Sequence, residues 1–359
     1  MSRTTIRSVT VEPLNIALLE PFTIATGSVS SANNVLITVT LEDGSIGYGE
    51  CAPFSPSTGE TQETALAAAR GCAALVGGGG KDAANWRVLS KLMRSVYFSQ
   101  NTAIAGMEMA LLDALTRSFG MPLYVFFGGA SNAIETDYSI PMVTPEHGYE
   151  LAKAAAARGI TCLKVKVGGD IREDVARVEA IREGAPGLGL TLDANQGYTA
   201  SEALLCLEAL DDRDIRPLMM EQPVHKEDYE GLRYVTQHTR VPIAADESAH
   251  SAANVARLIQ MGACNVVNIK LMKCGFVEAL DIAAVCRATH TQLMIGAMME
   301  SRLATSAAAH FVAGLGGFRY IDLDTPMLLA DDPFMGGYEQ RGGVYDVSGV
   351  ESGLGIERK

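Results

Sequence analysis

Five charged residues follow one another along the middle of this chain: Lys166, Asp193, Glu221, Asp246 and Lys270, at steps of 27, 28, 25 and 24 residues. Lys164 stands two places before the first, and Asp322 and Asp324 flank one leucine in YIDLDTP farther on. Any one of them could be a solvated loop charge, but even spacing implies a repeated unit that delivers each to the same place. Three carboxylates with no histidine or cysteine among them make an oxygen-only donor set, which suits Mg²⁺ and leaves room for water and substrate oxygens. The flanking lysines then face a metal-bound substrate from opposite sides. An ammonium cannot act as a base, so a lysine must lose its proton near neutral pH. Lys164 beside Lys166, and Mg²⁺ nearby, are expected to lower a lysine pKa toward about 7 to 8. Such a set fits proton abstraction next to a carboxylate, with the metal holding the enediolate that develops.

The elements that must position these groups are legible from about residue 134. The apolar runs TDYSIPMV, TCLKVKVGG, LGLTLDANQG, PLMMEQP, VPIAADES, NVVNIKLMK, QLMIGAMMES and RYIDLD alternate with amphipathic stretches such as PEHGYELAKAAAARG and IREDVARVEAIREG. This predicts seven βα units and an eighth strand over residues 131–325, closed into a modified TIM barrel, (β/α)7β. Lys164 and Lys166 close the second run, Glu300 the seventh, and Asp322 with Asp324 the eighth. Active sites of such barrels lie at those strand ends. Strand alternation turns residues 322 and 324 to one side, the barrel interior, where two carboxylates would suit a substrate ammonium. Support for Lys270, or a surface turn before Pro326, are the other readings of the pair.

Residues 1–130 read as an α+β capping domain. VLITVTLEDGSIGYGE alternates across Asp43-Gly44, a hairpin signal, and three helical stretches follow, the last closed by Gly120 and Pro122. GGGG at 77 to 80 lacks the Gly-Lys-Ser/Thr of a phosphate cradle and reads as a loop. Residues 326–359, rich in glycine, are expected to pack back on the capping domain.

With 48% hydrophobic and 20% charged residues, the chain is of a globular class. A net charge of -13 makes nucleic acid and anionic membranes poor partners, and no apolar run is long enough to span a bilayer. MSRTTIRSVTVEP has no apolar signal core, and seven cysteines without a CxxC pair read as buried thiols. A cytoplasmic homo-oligomer with a small-molecule substrate is expected. A barrel serving only as a binding or structural protein has no evident reason to gather so much charge in one cleft.

KVK, DANQG, EQP, ADES and NIK along a barrel, behind a hairpin and helical capping domain, resemble the enolase superfamily. Lysines on strands two and six resemble its muconate-lactonising subgroup, whereas relatives with a histidine base carry it late in the barrel. None of His147, His225, His238, His250, His290 and His310 ends a predicted strand. The aspartate-x-aspartate of strand eight resembles that subgroup's dipeptide epimerases, of the L-Ala-D/L-amino acid epimerase kind. The resemblance implies Mg²⁺ on Asp193, Glu221 and Asp246, and inversion of the α-carbon of a dipeptide's C-terminal residue by 1,1-proton transfer through an enediolate. It implies Lys166 and Lys270 as the two proton carriers, Lys164 as a positive neighbour, and Asp322 and Asp324 on the free amino terminus. Asn195 and Glu247 would stand around the metal or be ordinary polar lining. Met298 and Glu300 would line the site, with Glu300 orienting Lys270 or merely polar.

PFTIATGSVSS, with Thr26 and Gly27, resembles the family's lid loop, and PFSPSTGET its second loop. Relatives acting on Ala-Glu carry a lid arginine where Gly27 stands. An Ala-X dipeptide with X uncharged or hydrophobic is therefore implied, since an uncharged pocket would strand an ionised side chain. A cationic X meeting Glu60 is an alternative, as are an N-succinylamino acid racemase, an o-succinylbenzoate synthase and a muconate-type cycloisomerase.

Overall fold

A computed structural model describes residues 2–359. The chain opens on an antiparallel sheet of Ile6–Ile24, Gly27–Leu41 and Ile46–Cys51. Gly44, at φ 89°, makes the turn the sequence marked. The lid segment is not a loop. Its residues extend the first two strands, with Phe22 opposite Val29 and Ile24 opposite Gly27, so the lid is the tip of a hairpin turning at Ala25 and Thr26. An irregularity in register between Ala17 and Phe22 lets that tip bend, and Met142 N–H donates to Thr23 O at 2.9 Å, tying it to the barrel.

Behind the sheet lie helices Gln62–Val76, Trp86–Val96 and Asn101–Ser118, the last buried on nearly every side. Its contact with the sheet requires glycine: a Cβ at Gly49 would lie 1.9 Å from Gly106 O, and one at Gly47 2.2 Å from Ala114 N.

Among the described residues, eight parallel strands follow: Tyr138–Ile140, Cys162–Lys166, Gly189–Asp193, Met220–Glu221, Ile243–Ala245, Val266–Ile269, Gln292–Gly296 and Phe318–Asp322. Each pairs with the next in chain order, and Asp137 N–H donates to Ile321 O at 2.9 Å between the first and last. Seven helices connect them, which is the (β/α)7β barrel. The fourth strand keeps only two residues of PLMMEQP, and the sixth and seventh stop at Ile269 and Gly296, so Lys270 and Glu300 stand beyond their strands.

Six of the seven helices, among the described residues, begin on a side chain that accepts a backbone N–H of the first turn: Thr144, Asp170, Thr199, Asp228, Ser251 and Ser301. The helix after the sixth strand, Leu271–Ala288, follows Lys270 and has no such cap. After the eighth strand comes the 3-10 turn Thr325–Leu328, then short strands, one of which, Val344–Asp346, pairs with Ala133–Glu135. Leu354 N–H reaches Asp113 of the long buried helix at 2.7 Å. No helix among the described residues is long and apolar enough to cross a membrane.

Candidate active site

Parallel register sets the first charges level with one another. Lys166 lies opposite Asp193, and Asp193 opposite Glu221. Their side chains meet at the strand ends: Lys166 Nζ is 2.7 Å from Asp193 Oδ2, and Lys270 Nζ 2.8 Å from Asp246 Oδ2. Lys164, without solvent exposure, reaches three carboxylates at once, Asp193 at 3.1 Å, Glu221 at 2.7 Å and Asp322 at 2.5 Å. Lys273, three residues past Lys270, holds Asp246 through its Oδ1 and its backbone carbonyl, the latter at 2.6 Å. Asn268 donates to Glu221 Oε1 at 2.6 Å.

The chain around these groups is held off its ordinary backbone geometry. Asn195, Gln196 and Gln222, just past the third and fourth strands, have positive φ of 40°, 72° and 32°. Gln222 satisfies its neighbours in return, accepting from Asp246 N–H at 3.0 Å and Ser248 N–H at 3.2 Å.

The carboxylates and lysines of the site set one another's charge. Burial does push Lys164 and Lys270 down, but the carboxylates around them, Asp193 for the first and Asp246 for the second, outweigh it and hold both above the usual lysine value. Burial raises Asp193 and Asp246, yet the lysines beside them hold both below the usual carboxylate range. Glu221, raised first by burial and then by Asp193, sits at about 8. Glu247 and Asp324 are each raised to about 7, by burial and then by a neighbouring aspartate.

Among the described residues, no three acidic, histidine or cysteine side chains converge as a ready cage. Lysine ammoniums stand against the carboxylates instead. The donors nonetheless fit a hard divalent cation: Asp193, Glu221 and Asp246 present only oxygen, on three consecutive strands or just beyond them. Glu221 Oε2 and Asp246 Oδ2 accept no hydrogen bond and meet only an ammonium, while the buried Asn195 Oδ1 and Glu247 Oε2 accept nothing. Buried acceptors left in that state are costly unless positive charge compensates them.

One cavity brings together Lys166, Lys270, Asp322, Asp324, Gly27 and Met298. Its remaining wall is largely apolar: Phe22, Ile24 and Val29 from the hairpin tip, Phe54 from the second loop, Met299 from the barrel and Leu328 from the 3-10 turn after it. Lys164 lies outside this lining. Thr26 faces an adjoining cleft rather than the cavity. Glu300 is also off the lining, and accepts from Met298 N–H at 2.9 Å, shaping the loop that carries Met298.

The aspartate pair reaches the cavity differently from the strand argument. The strand ends at Asp322, and Asp324, at φ -88° and ψ -4°, opens the 3-10 turn. It is anchored by Ser139 N–H, 2.6 Å from its Oδ2. Sequence reasoning missed Ser139, Asn268, Gln222 and Lys273. For Lys273 a signal existed in KLMK, whose second lysine returns after one helical turn.

Residues 6–128 match the family model "Mandelate racemase / muconate lactonizing enzyme, N-terminal domain", and residues 149–359 match "Enolase C-terminal domain-like". An aromatic dipeptide epimerase of Herpetosiphon aurantiacus is 44% identical over 98% of this chain and 99% of its own. An L-Ala-D/L-amino acid epimerase of Populus trichocarpa is 41% identical over 96% of this chain and 83% of its own. The solved dipeptide epimerase of Enterococcus faecalis, complexed with Mg and the dipeptide L-Leu-L-Tyr, superposes with a TM-score of 0.94 at 35% identity, covering 99% of this chain and all of that one.

Proposed function

The chain belongs to the mandelate racemase / muconate lactonizing enzyme family of the enolase superfamily, and from that premise we propose that it is a dipeptide epimerase inverting the C-terminal residue's α-carbon. Asp193, Glu221 and Asp246 would hold Mg²⁺, whose charge, when bound, stabilises the negative charge that grows on the substrate carboxylate. Lys166 and Lys270 exchange the α-proton. The one that removes it starts neutral, the other starts as an ammonium and delivers a proton to the opposite face, and the roles swap in the reverse direction. Lys164, buried among carboxylates, stays an ammonium that adds fixed positive charge and takes no part in moving the α-proton.

Asp322 and Asp324 receive the free amino terminus, which orients the dipeptide along the cavity. The apolar wall takes the second side chain. Its charged lining consists of the two lysines and the two aspartates, so an ionised second side chain finds no partner of its own. The substrate class is therefore Ala-X or a similar dipeptide, with X hydrophobic.

The observation carrying this reading is that both lysines and both aspartates line one cavity that is otherwise mostly apolar. A dipeptide library incubated with the Mg²⁺-loaded protein in D₂O tests it. Hydrophobic L-Ala-L-X members should exchange the α-proton of X and accumulate the L-D epimer. Absence of exchange across the library would overturn the assignment.

A further inference from the structure

The helix after the sixth barrel strand lacks an N-cap of its own, and the capping domain supplies what is missing. Lys270 starts a single turn in which its carbonyl accepts from Lys273 N–H at 2.9 Å and Cys274 Sγ at 3.4 Å. The chain then breaks at Gly275, with φ 73° and ψ 175°, and helix resumes at Phe276. Glu108, fully buried in the capping-domain helix Asn101–Ser118, accepts the backbone N–H groups of Phe276 and of Val277, the latter at 3.2 Å. Arg94, ion-paired to Glu108 at 3.4 Å, donates to Cys274 O on the other side of the break. A Cβ on Gly275 would lie 2.7 Å from both the Arg94 guanidinium and the Glu108 carboxylate, so only glycine lets the clamp close.

We propose that Glu108 is a positioning residue for Lys270: with Arg94, it fixes the turn that aims this lysine into the cavity. The inference rests on reading Lys270 as a proton carrier. Both sides of the break are held from the capping domain, and the turn between Lys270 and Gly275 spans few enough residues that displacing one end displaces the other. Lys166 is carried by a strand with neighbours on both sides and is independent of the clamp. Loosening Glu108 therefore impairs one proton transfer more than the other, whereas a purely structural carboxylate would affect both alike.

The experiment uses the Mg²⁺-loaded enzyme and measures α-proton exchange in D₂O from the L-L and L-D epimers of one hydrophobic dipeptide. Lys270→Ala identifies which epimer depends on Lys270. Glu108→Gln should lower exchange from that same epimer by about ten- to a hundredfold more than from the other, the scale of loss a misplaced reacting group brings. Asp113→Asn is the comparison, because Asp113 is an equally buried carboxylate of the same helix that binds the C-terminal segment and touches no active-site turn. It should leave the ratio unchanged. An equal loss from both epimers in Glu108→Gln would overturn the proposal.

Should Glu108→Gln fail to fold, Arg94→Gln, at a side chain 27% exposed, must shift the ratio in the same direction. An independent readout is the ε-carbon resonance of Lys270 in lysine-labelled enzyme, assigned by its disappearance in Lys270→Arg. It should move in Glu108→Gln or Arg94→Gln while that of Lys166 stays. If Lys166→Ala and Lys270→Ala show no opposite epimer preference, the two-carrier reading has failed by itself. A stationary Lys270 resonance would then still sink the role of Glu108.

Discussion

Lys164 Nζ lies 2.5 Å from Asp322 Oδ2, joining the second barrel strand to the eighth. The aspartate pair is therefore not independent of the lysines. Asp322 is one of three carboxylates that keep Lys164 charged at zero exposure, and Lys164 in turn holds Asp322 ionised despite burial. Asp324 has no such counter-ion and rests on a backbone N–H. Two aspartates one residue apart thus carry different burdens.

The first prediction is metal dependence. Chelation should abolish exchange and Mg²⁺ should restore it, since Glu221 Oε2 and Asp246 Oδ2 lack hydrogen bonds in the protein alone. Calorimetric titration should show Mg²⁺ binding that Glu221→Gln weakens, and unfolding should shift upward with added Mg²⁺. Full turnover after exhaustive chelation would refute the assignment of Asp193, Glu221 and Asp246.

A second prediction separates the lysines. Lys166→Ala should suppress α-proton exchange from one epimer more than from the other, and Lys270→Ala should do the reverse, each by at least about a hundredfold for its own epimer. Chiral chromatography alongside proton NMR in D₂O reads this directly. Wild-type epimerisation by either variant would rule out two carriers.

The barrel and much of its charge could be read from the sequence because a βα unit recurs at a nearly fixed length, which brings Lys166, Asp193 and Glu221 level on adjacent strands and Asp246 just past the end of the next. The lid was misread as a loop because Gly27 and its serines look like turn residues, while pairing with the first strand is a long-range choice. Glu108 was invisible for a similar reason: its partners Phe276 and Val277 lie 168 and 169 residues away. Asp324 reached the cavity by a helical turn that strand alternation does not describe.

Substrate choice is the third prediction. L-Ala-L-Phe or L-Ala-L-Leu should exceed L-Ala-L-Glu in kcat/KM by at least about a hundredfold, because Phe22, Ile24, Val29 and Phe54 offer a glutamate side chain no cation. Comparable rates on the glutamyl dipeptide would show that one of the site lysines pairs with it.

A fourth prediction concerns His310, which links three parts of the chain. Its Nδ1 accepts from Tyr124 N–H at 3.2 Å, so Nε2–H donates to Gly337 O at 3.0 Å and the ring is neutral. Burial lowers its pKa to about 4 from an ordinary 6.5. Between those values the unfolded chain binds the extra proton, so the contribution is present above pH 6.5 and lost as pH falls through 4. The loss is on the order of 3 kcal/mol. Urea unfolding of His310→Gln should be weaker at pH 7 but flatter between pH 7 and 4.5. An unchanged slope would show that other groups govern the acid limb.

The last prediction concerns the ammonium site, and Asp324 tests it better than the pair does. Replacing Asp322 would strip Lys164 of a counter-ion and disturb the charge balance beneath the cavity, confusing binding with chemistry. Asp324→Asn keeps volume, and its amide oxygen can still accept Ser139 N–H, now 2.6 Å from the carboxylate. What disappears is the negative charge toward the substrate ammonium. Burial and then Asp322 raise the Asp324 pKa to about 7, so part of the population is protonated near neutrality, and an ammonium placed between the two aspartates would draw that proton off. Losing a charge-assisted contact of about 1.5 to 3 kcal/mol should lower kcat/KM on a free dipeptide by about ten- to a hundredfold. The N-acetylated dipeptide, which has no ammonium, should be a poor substrate for the parent enzyme and lose little more in the variant. Equal loss on both substrates would make Asp324 a structural residue, and a parent enzyme preferring the acylated substrate would move the function to an N-acylamino-acid racemase.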